Sequence, residues 1–123
     1  MVRNTSFGII FLVSISLGQP LHDDTLVIRR FLDEENLTGL PVSEVTMSGE
    51  TESRIGTLYF SRLFEMTGHK LNRLPDDLDK LTELSALFLS NNDFDTFPLV
   101  ITEQSKITYI EMANNRLEYI PPE

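Results

Sequence analysis

A chain of 123 residues, 41% apolar and 24% charged, has room for one folded domain and is too apolar to be disordered throughout. Its 19 acidic residues against 10 basic ones give a net charge of -9, which argues against a general nucleic-acid binder. Cysteine is absent, which excludes disulfides, thiolate metal sites and cysteine nucleophiles.

Residues 1–18 carry the three-part pattern of a secretory signal peptide. Arg3 supplies the positive start, Phe7–Leu17 the apolar run, and Ser16 and Gly18 the small residues before a cut after Gly18. That run is shorter than the roughly 20 residues a membrane helix needs. No second long apolar run follows, so no membrane anchor is visible. Asn36-Leu37-Thr38 is an N-glycosylation sequon, and in a secreted chain Asn36 is the expected acceptor. Residues 23–35, DDTLVIRRFLDEE, have the spacing of an amphipathic helix. Asp24 or Thr25 would cap it, with Val27, Phe31 and Leu32 on its apolar side. Residues 19–41 are therefore expected to form an N-terminal capping segment that turns through Asn36 to Pro41.

From residue 42 onward the chain repeats itself. Leu84, Leu87, Leu89, Asn92, Phe94, Phe97 and Pro98 recur as Ile107, Ile110, Met112, Asn115, Leu117, Ile120 and Pro121, an offset of 107 - 84 = 23. Stepping back by 23 reaches Ser61, Phe64, Met66, His69, Leu71, Leu74 and Pro75. A fainter unit holds Val42, Val45 and Met47, followed by the polar, turn-like Ser48–Ser53. The expected organisation is an irregular unit at 42–60, units at 61–83 and 84–106, and an incomplete one at 107–123. Leu87 and Leu89 alternate with Ala86 and Phe88, the period of a strand with one buried face. Asn92 and Asn115, with His69 in part, stand where the chain leaves each strand. There a side-chain amide can satisfy backbone groups of neighbouring turns.

The pattern L-x-x-L-x-L-x-x-N-x-L-x-x-L-P resembles the leucine-rich repeat family, closely over Leu58–Pro121 and poorly over Val42–Ser53. The resemblance implies an α/β solenoid with a short curved parallel sheet of three or four repeats, and here an N-terminal capping helix. Many secreted members of that family cap with disulfides, which this cysteine-free chain cannot do. The sequence stops in mid-repeat, so a longer receptor or matrix protein, or a truncated product, is the expected parent. The uncapped C-terminal end also offers a surface for self-association.

Candidate chemistry is sparse. His22-Asp23-Asp24 are adjacent and do not converge on one ion, and no motif for a nucleophilic serine or a phosphate loop occurs. Neither a metal, a cofactor nor an enzymatic activity is expected. Function is expected on the sheet face, where residues alternating with the buried leucines stand in columns. The 23-residue alignment places Leu63, Ala86 and Tyr109 in one column, Glu65, Phe88 and Glu111 in the next, and Thr67, Ser90 and Ala113 in a third. An aromatic at Phe88, with Leu63 and Tyr109 nearby and Glu65 and Glu111 beside it, suits a protein partner with a basic surface. The resulting expectation is a secreted protein-binding module. An intracellular scaffold or adaptor is the alternative.

Overall fold

The structure is a computed structural model that describes residues 24–104 and 106–118. The expected signal peptide at 1–18, His22, and Ile120 and Pro121 of the last unit lie outside those residues.

Helix α1 spans Asp24–Glu34, over the segment whose spacing calls for an amphipathic helix. Val27 with Phe31 and Ile28 with Leu32 are each four apart, and all four are buried. The helix ends in a left-handed residue, Asn36, at φ 63°. Leu37 N donates to Leu32 O at 2.7 Å and Asn36 N to Asp33 O at 3.0 Å, the paired bonds that close a helix C-terminus. Asparagine tolerates that conformation better than other residues with a Cβ. Asn36 thus has a backbone role independent of any glycan, and its exposure leaves the side chain accessible.

Four strands follow: β1 at Thr46–Ser48, β2 at Ile55–Tyr59, β3 at Ala86–Phe88 and β4 at Tyr109–Glu111. They form one sheet in the order β1-β2-β3-β4. β2, β3 and β4 pair in parallel, whereas β1 pairs antiparallel to β2. The sheet is therefore mixed, and among the described residues two short α-helices accompany it: α1 and the five-residue α2 at Leu63–Thr67. This corrects the expected leucine-rich-repeat solenoid with its wholly parallel sheet of three or four repeats.

Two local causes produce the departure. Residues 49–54 are too few for the crossover a parallel pair requires, so β1 and β2 close as a hairpin. The segment at 42–60 is consequently a hairpin with a short 3-10 turn at Val42–Glu44, where a separate repeat unit was expected. Gly56 makes the hairpin possible. A Cβ there would lie 2.4 Å from Gly49 Cα, so the two glycine backbones meet where no side chain fits. The ladder also slips between Met47 and Ser48 at this point.

The second cause is an insertion. Thr57 pairs with Ala86 and Ala86 with Tyr109, offsets of 86 - 57 = 29 and 109 - 86 = 23. The first turn therefore holds 29 - 23 = 6 extra residues, placed between Phe60 and Leu71. They fold into a 3-10 turn at Phe60–Arg62 and helix α2. Gly68 ends α2 in the left-handed region at φ 79°, donating its N–H to Phe64 O at 2.8 Å.

The core lies between the sheet and the chain that returns across its back. Leu58, Leu87 and Leu89 come from the strand side, and Leu71, Leu78, Leu81 and Phe94 from the returning side. Phe31 of α1 closes one end against Phe60, with ring centroids 5.6 Å apart. Asp24 fastens that end. It is 1% exposed, accepts Arg54 Nε and Nη2 at 3.1 and 2.9 Å, and takes Ile55 N at 2.8 Å. One carboxylate thus ties the start of α1 to the start of β2.

Candidate functional site

Side chains that alternate with the core leucines emerge on the other face of the sheet. Tyr59 stands directly beside Phe88, and Phe88 beside Glu111. The Tyr59 and Phe88 rings are stacked at 5.0 Å between centroids, and Phe88 meets Tyr109 diagonally at 5.3 Å. Tyr59 Oη lies 3.7 Å from Met47 Sδ, so the apolar row continues onto β1. The Arg62 guanidinium sits 4.4 Å from the Tyr59 ring centroid. The row is open to solvent at both ends, with Met47 55% and Tyr109 50% exposed, while Tyr59 and Phe88 are half-buried by one another.

The expected face is only partly assembled. Phe88, Tyr109 and Glu111 are on it together. Leu63 and Glu65 are not, because the insertion carries them off the sheet. Leu63 is a fully buried residue of α2, and Glu65 is exposed on the same helix. Their expected places beside Ala86 and Phe88 are held by Thr57 and Tyr59. Thr67 is likewise on α2, away from Ser90 and Ala113. Tyr59, Met47 and Arg62 are the members of the face that the repeat alignment missed. A signal for Tyr59 was present: Ile55, Leu58 and Phe60 have the same spacing as Leu84, Leu87 and Leu89, which makes Tyr59 the counterpart of Phe88.

The asparagine positions divide in the same way. Asn92, 1% exposed, accepts Leu71 N at 2.7 Å and donates to Phe60, Leu89 and Ser90 carbonyls at 3.2, 3.1 and 3.2 Å. Asn115 repeats the arrangement one turn on, accepting Phe94 N at 2.9 Å and donating to Leu89, Met112 and Ala113 carbonyls. His69 is outside this ladder. Its Nε2 lies 2.8 Å from Glu35 Oε1, next to Arg73, which pairs with both Glu34 and Glu35 at 2.9 Å. The hydrogen bond to Glu34 is the largest influence holding Arg73 above the ordinary arginine value, against partial desolvation. His69 and Arg73 therefore brace the C-terminal end of α1.

The asparagines that precede the ladder also contribute. Asn91 and Asn114 adopt positive φ, 63° and 59°, and turn the chain out of each strand. Asn114 Nδ2 donates to Asn91 Oδ1 at 3.0 Å.

A cavity of about 310 Å³ lies between α1 and the Pro75–Asp79 segment and is lined by Val27, Phe31, Arg30, Glu34, Asp76 and Asp77. Arg30 and Asp77 bridge it at 3.1 Å. Among the described residues no group of three or more His, Cys, Asp or Glu could hold a metal, and no helix is long and apolar enough to cross a membrane. No protein-family model, curated protein or solved structure matches the chain.

Proposed function

We propose that the chain is a secreted protein-binding module, related to the leucine-rich repeats, that docks a partner on the exposed face of its sheet. The row Tyr59-Phe88-Tyr109 carries this reading. Three aromatic rings in contact, flanked by Met47 and open to water, form an apolar centre with a polar border. Interfaces concentrate their affinity in such aromatic centres. The partner's expected chemistry is basic. Arg62 lies over Tyr59 within the chain itself, and Glu111 stands exposed beside Phe88, so the same rings and carboxylate suit a lysine or arginine from outside. The mechanism is docking on a preformed surface and involves no chemical step.

The test uses three baits: the unaltered chain, Tyr59→Ala and Phe88→Ala. Each is exposed to conditioned medium and to cell lysate, and bound proteins are quantified by mass spectrometry. A protein held by the unaltered chain and released from both variants, each keeping the far-ultraviolet spectrum of the folded chain, supports the reading. Identical profiles for all three baits would remove it. The absence of cysteine favours the second reading, an intracellular scaffold. An intact mass separates the two: a chain starting at Gln19 with added glycan at Asn36 belongs to the secreted form, and an uncleaved, unglycosylated one to the scaffold.

A further inference from the structure

The last strand differs from the ones before it in two respects. β4 is terminal in the sheet order, so no described strand lies along its outer edge. Its bonds to the β3 side start with Thr108 N and Tyr109 N, both to Ser85 O at 2.9 and 3.2 Å, and then run through alternate residues, Leu89 N to Glu111 O at 2.7 Å and Asn91 N to Ala113 O at 3.0 Å. From Tyr109 onward that alternation turns the peptide groups of Ile110 to the open edge, while Met112 O already accepts from Asn115 Nδ2 at 3.0 Å. The apolar positions beneath are also incompletely covered. Leu84, Leu87, Leu89 and Phe94 are 1%, 0%, 0% and 1% exposed, whereas Ile107, Ile110, Met112 and Leu117, one turn later, are only half-buried. An unpaired edge above exposed apolar side chains is a template for another strand.

We infer that this edge pairs with the same edge of a second copy of the chain, antiparallel about a twofold axis at Ile110. The strand is complementary to itself in that register. Ile110 faces Ile110 of the other copy, and its outward N–H and C=O make the two reciprocal bonds of a hydrogen-bonded pair. Tyr109 of each copy faces Glu111 of the other on the aromatic side, so tyrosine hydroxyl meets carboxylate twice. Thr108 faces Met112 on the core side. In-register parallel pairing would set the two Glu111 carboxylates side by side, which is unfavourable. The contact is isologous and closes at two copies. It joins the two sheets edge to edge, and the aromatic rows of both copies lie on one continuous surface. Each chain carries -9, so salt strengthens the pair by screening.

The test is light scattering of the full chain across a dilution series, combined with single cysteines in this cysteine-free background. A hydrogen-bonded antiparallel pair sets Cα atoms about 5.5 Å apart, within disulfide reach of about 4.4–6.8 Å. The expected result is a mass twice the 14.1 kDa of one chain that falls to the monomer on dilution and rises with salt. Ile110→Cys should yield a covalent dimer on mild oxidation, while Met47→Cys, at the opposite side of the sheet, should not. Ile110→Lys, which sets like charges across the axis, should lose the dimer while keeping the far-ultraviolet spectrum of the folded chain. Met112→Lys gives the same reading if Ile110→Lys fails to fold. A monomer at every concentration overturns the inference. Growth beyond two copies, or equal crosslinking through Met47→Cys, overturns it as well, by placing the contact elsewhere.

Discussion

Replacing Asn92 by alanine isolates the ladder, because the protein contains its own control in Asn115. Asn92→Ala leaves Leu71 N–H without its acceptor in a place that is 1% exposed, where water cannot substitute. Of the three carbonyls it served, two keep a partner: Phe60 O the Leu63 N–H, and Leu89 O the Asn115 amide at 2.9 Å. One orphaned buried donor costs about 1–3 kcal/mol, and the weakened carbonyls raise the expected loss to about 2–4 kcal/mol. Asn115→Ala removes the same set of bonds at a half-buried site, where water can take over, so its expected cost is about 1 kcal/mol. The assay is urea denaturation followed by circular dichroism, with the slope m compared across variants to confirm that only stability has changed. Equal losses in the two variants, or a larger loss in Asn115→Ala, would refute the argument that burial sets the value of this ladder.

Asp24→Ala should destabilise by about 1–3 kcal/mol, since it leaves the buried Ile55 N–H without its acceptor and removes one partner of Arg54, and chemical denaturation reads the loss directly. Gly56→Ala should cost at least about 1–3 kcal/mol by forcing the hairpin backbones apart; an unchanged urea midpoint would show that the hairpin can relax. Leu89→Ala should cost about 2–5 kcal/mol as a core truncation, whereas Phe88→Ala, which loses half-buried ring contacts to Tyr59 and Tyr109, should cost only about 1–2 kcal/mol. Glu83 is held below the ordinary glutamate value, first by the Thr51 N–H bonded to Oε1 at 2.9 Å. Its folded value is depressed, so its contribution is present above the unfolded value of 4.5 and is lost as pH falls through the lower folded value. Subtracting the acid limb of the stability profile of Glu83→Gln from that of the unaltered chain should leave a difference in that window, and coincident limbs would refute the assignment.

Much of the later chain was legible because its interactions repeat at a constant interval. Phe88, Tyr109 and Glu111 share a face because the 23-residue step holds between β3 and β4. The same step failed one turn earlier, and with it the placement of Leu63, Glu65 and His69. Fixed-interval alignment matched Phe64 and Met66 to strand positions, yet the six extra residues had already moved the strand back to Ile55–Tyr59. Apolar spacing alone does not separate these alternatives, because Ile55 and Leu58 stand six and three residues before Ser61, as Leu78 and Leu81 stand before Leu84, and so also fit the return leg of a preceding turn.

Local pattern by itself determined the amphipathic helix at the start, the buried alternation around Leu87, and the asparagines that stabilise each departure from a strand. These depend on neighbours within a few residues or one repeat, which a linear sequence displays. Tertiary structure alone decided that the sheet is mixed, that Tyr59 joins Phe88, and that Asp24 reaches across to Arg54 and Ile55. The physical reason is that each of these rests on which distant backbones can approach. Gly56 against Gly49 permits an antiparallel hairpin, and the insertion after Phe60 finds room as a helix outside the sheet. Such choices are settled by competition for space and hydrogen-bond partners among segments far apart in the chain, and no single segment carries their outcome.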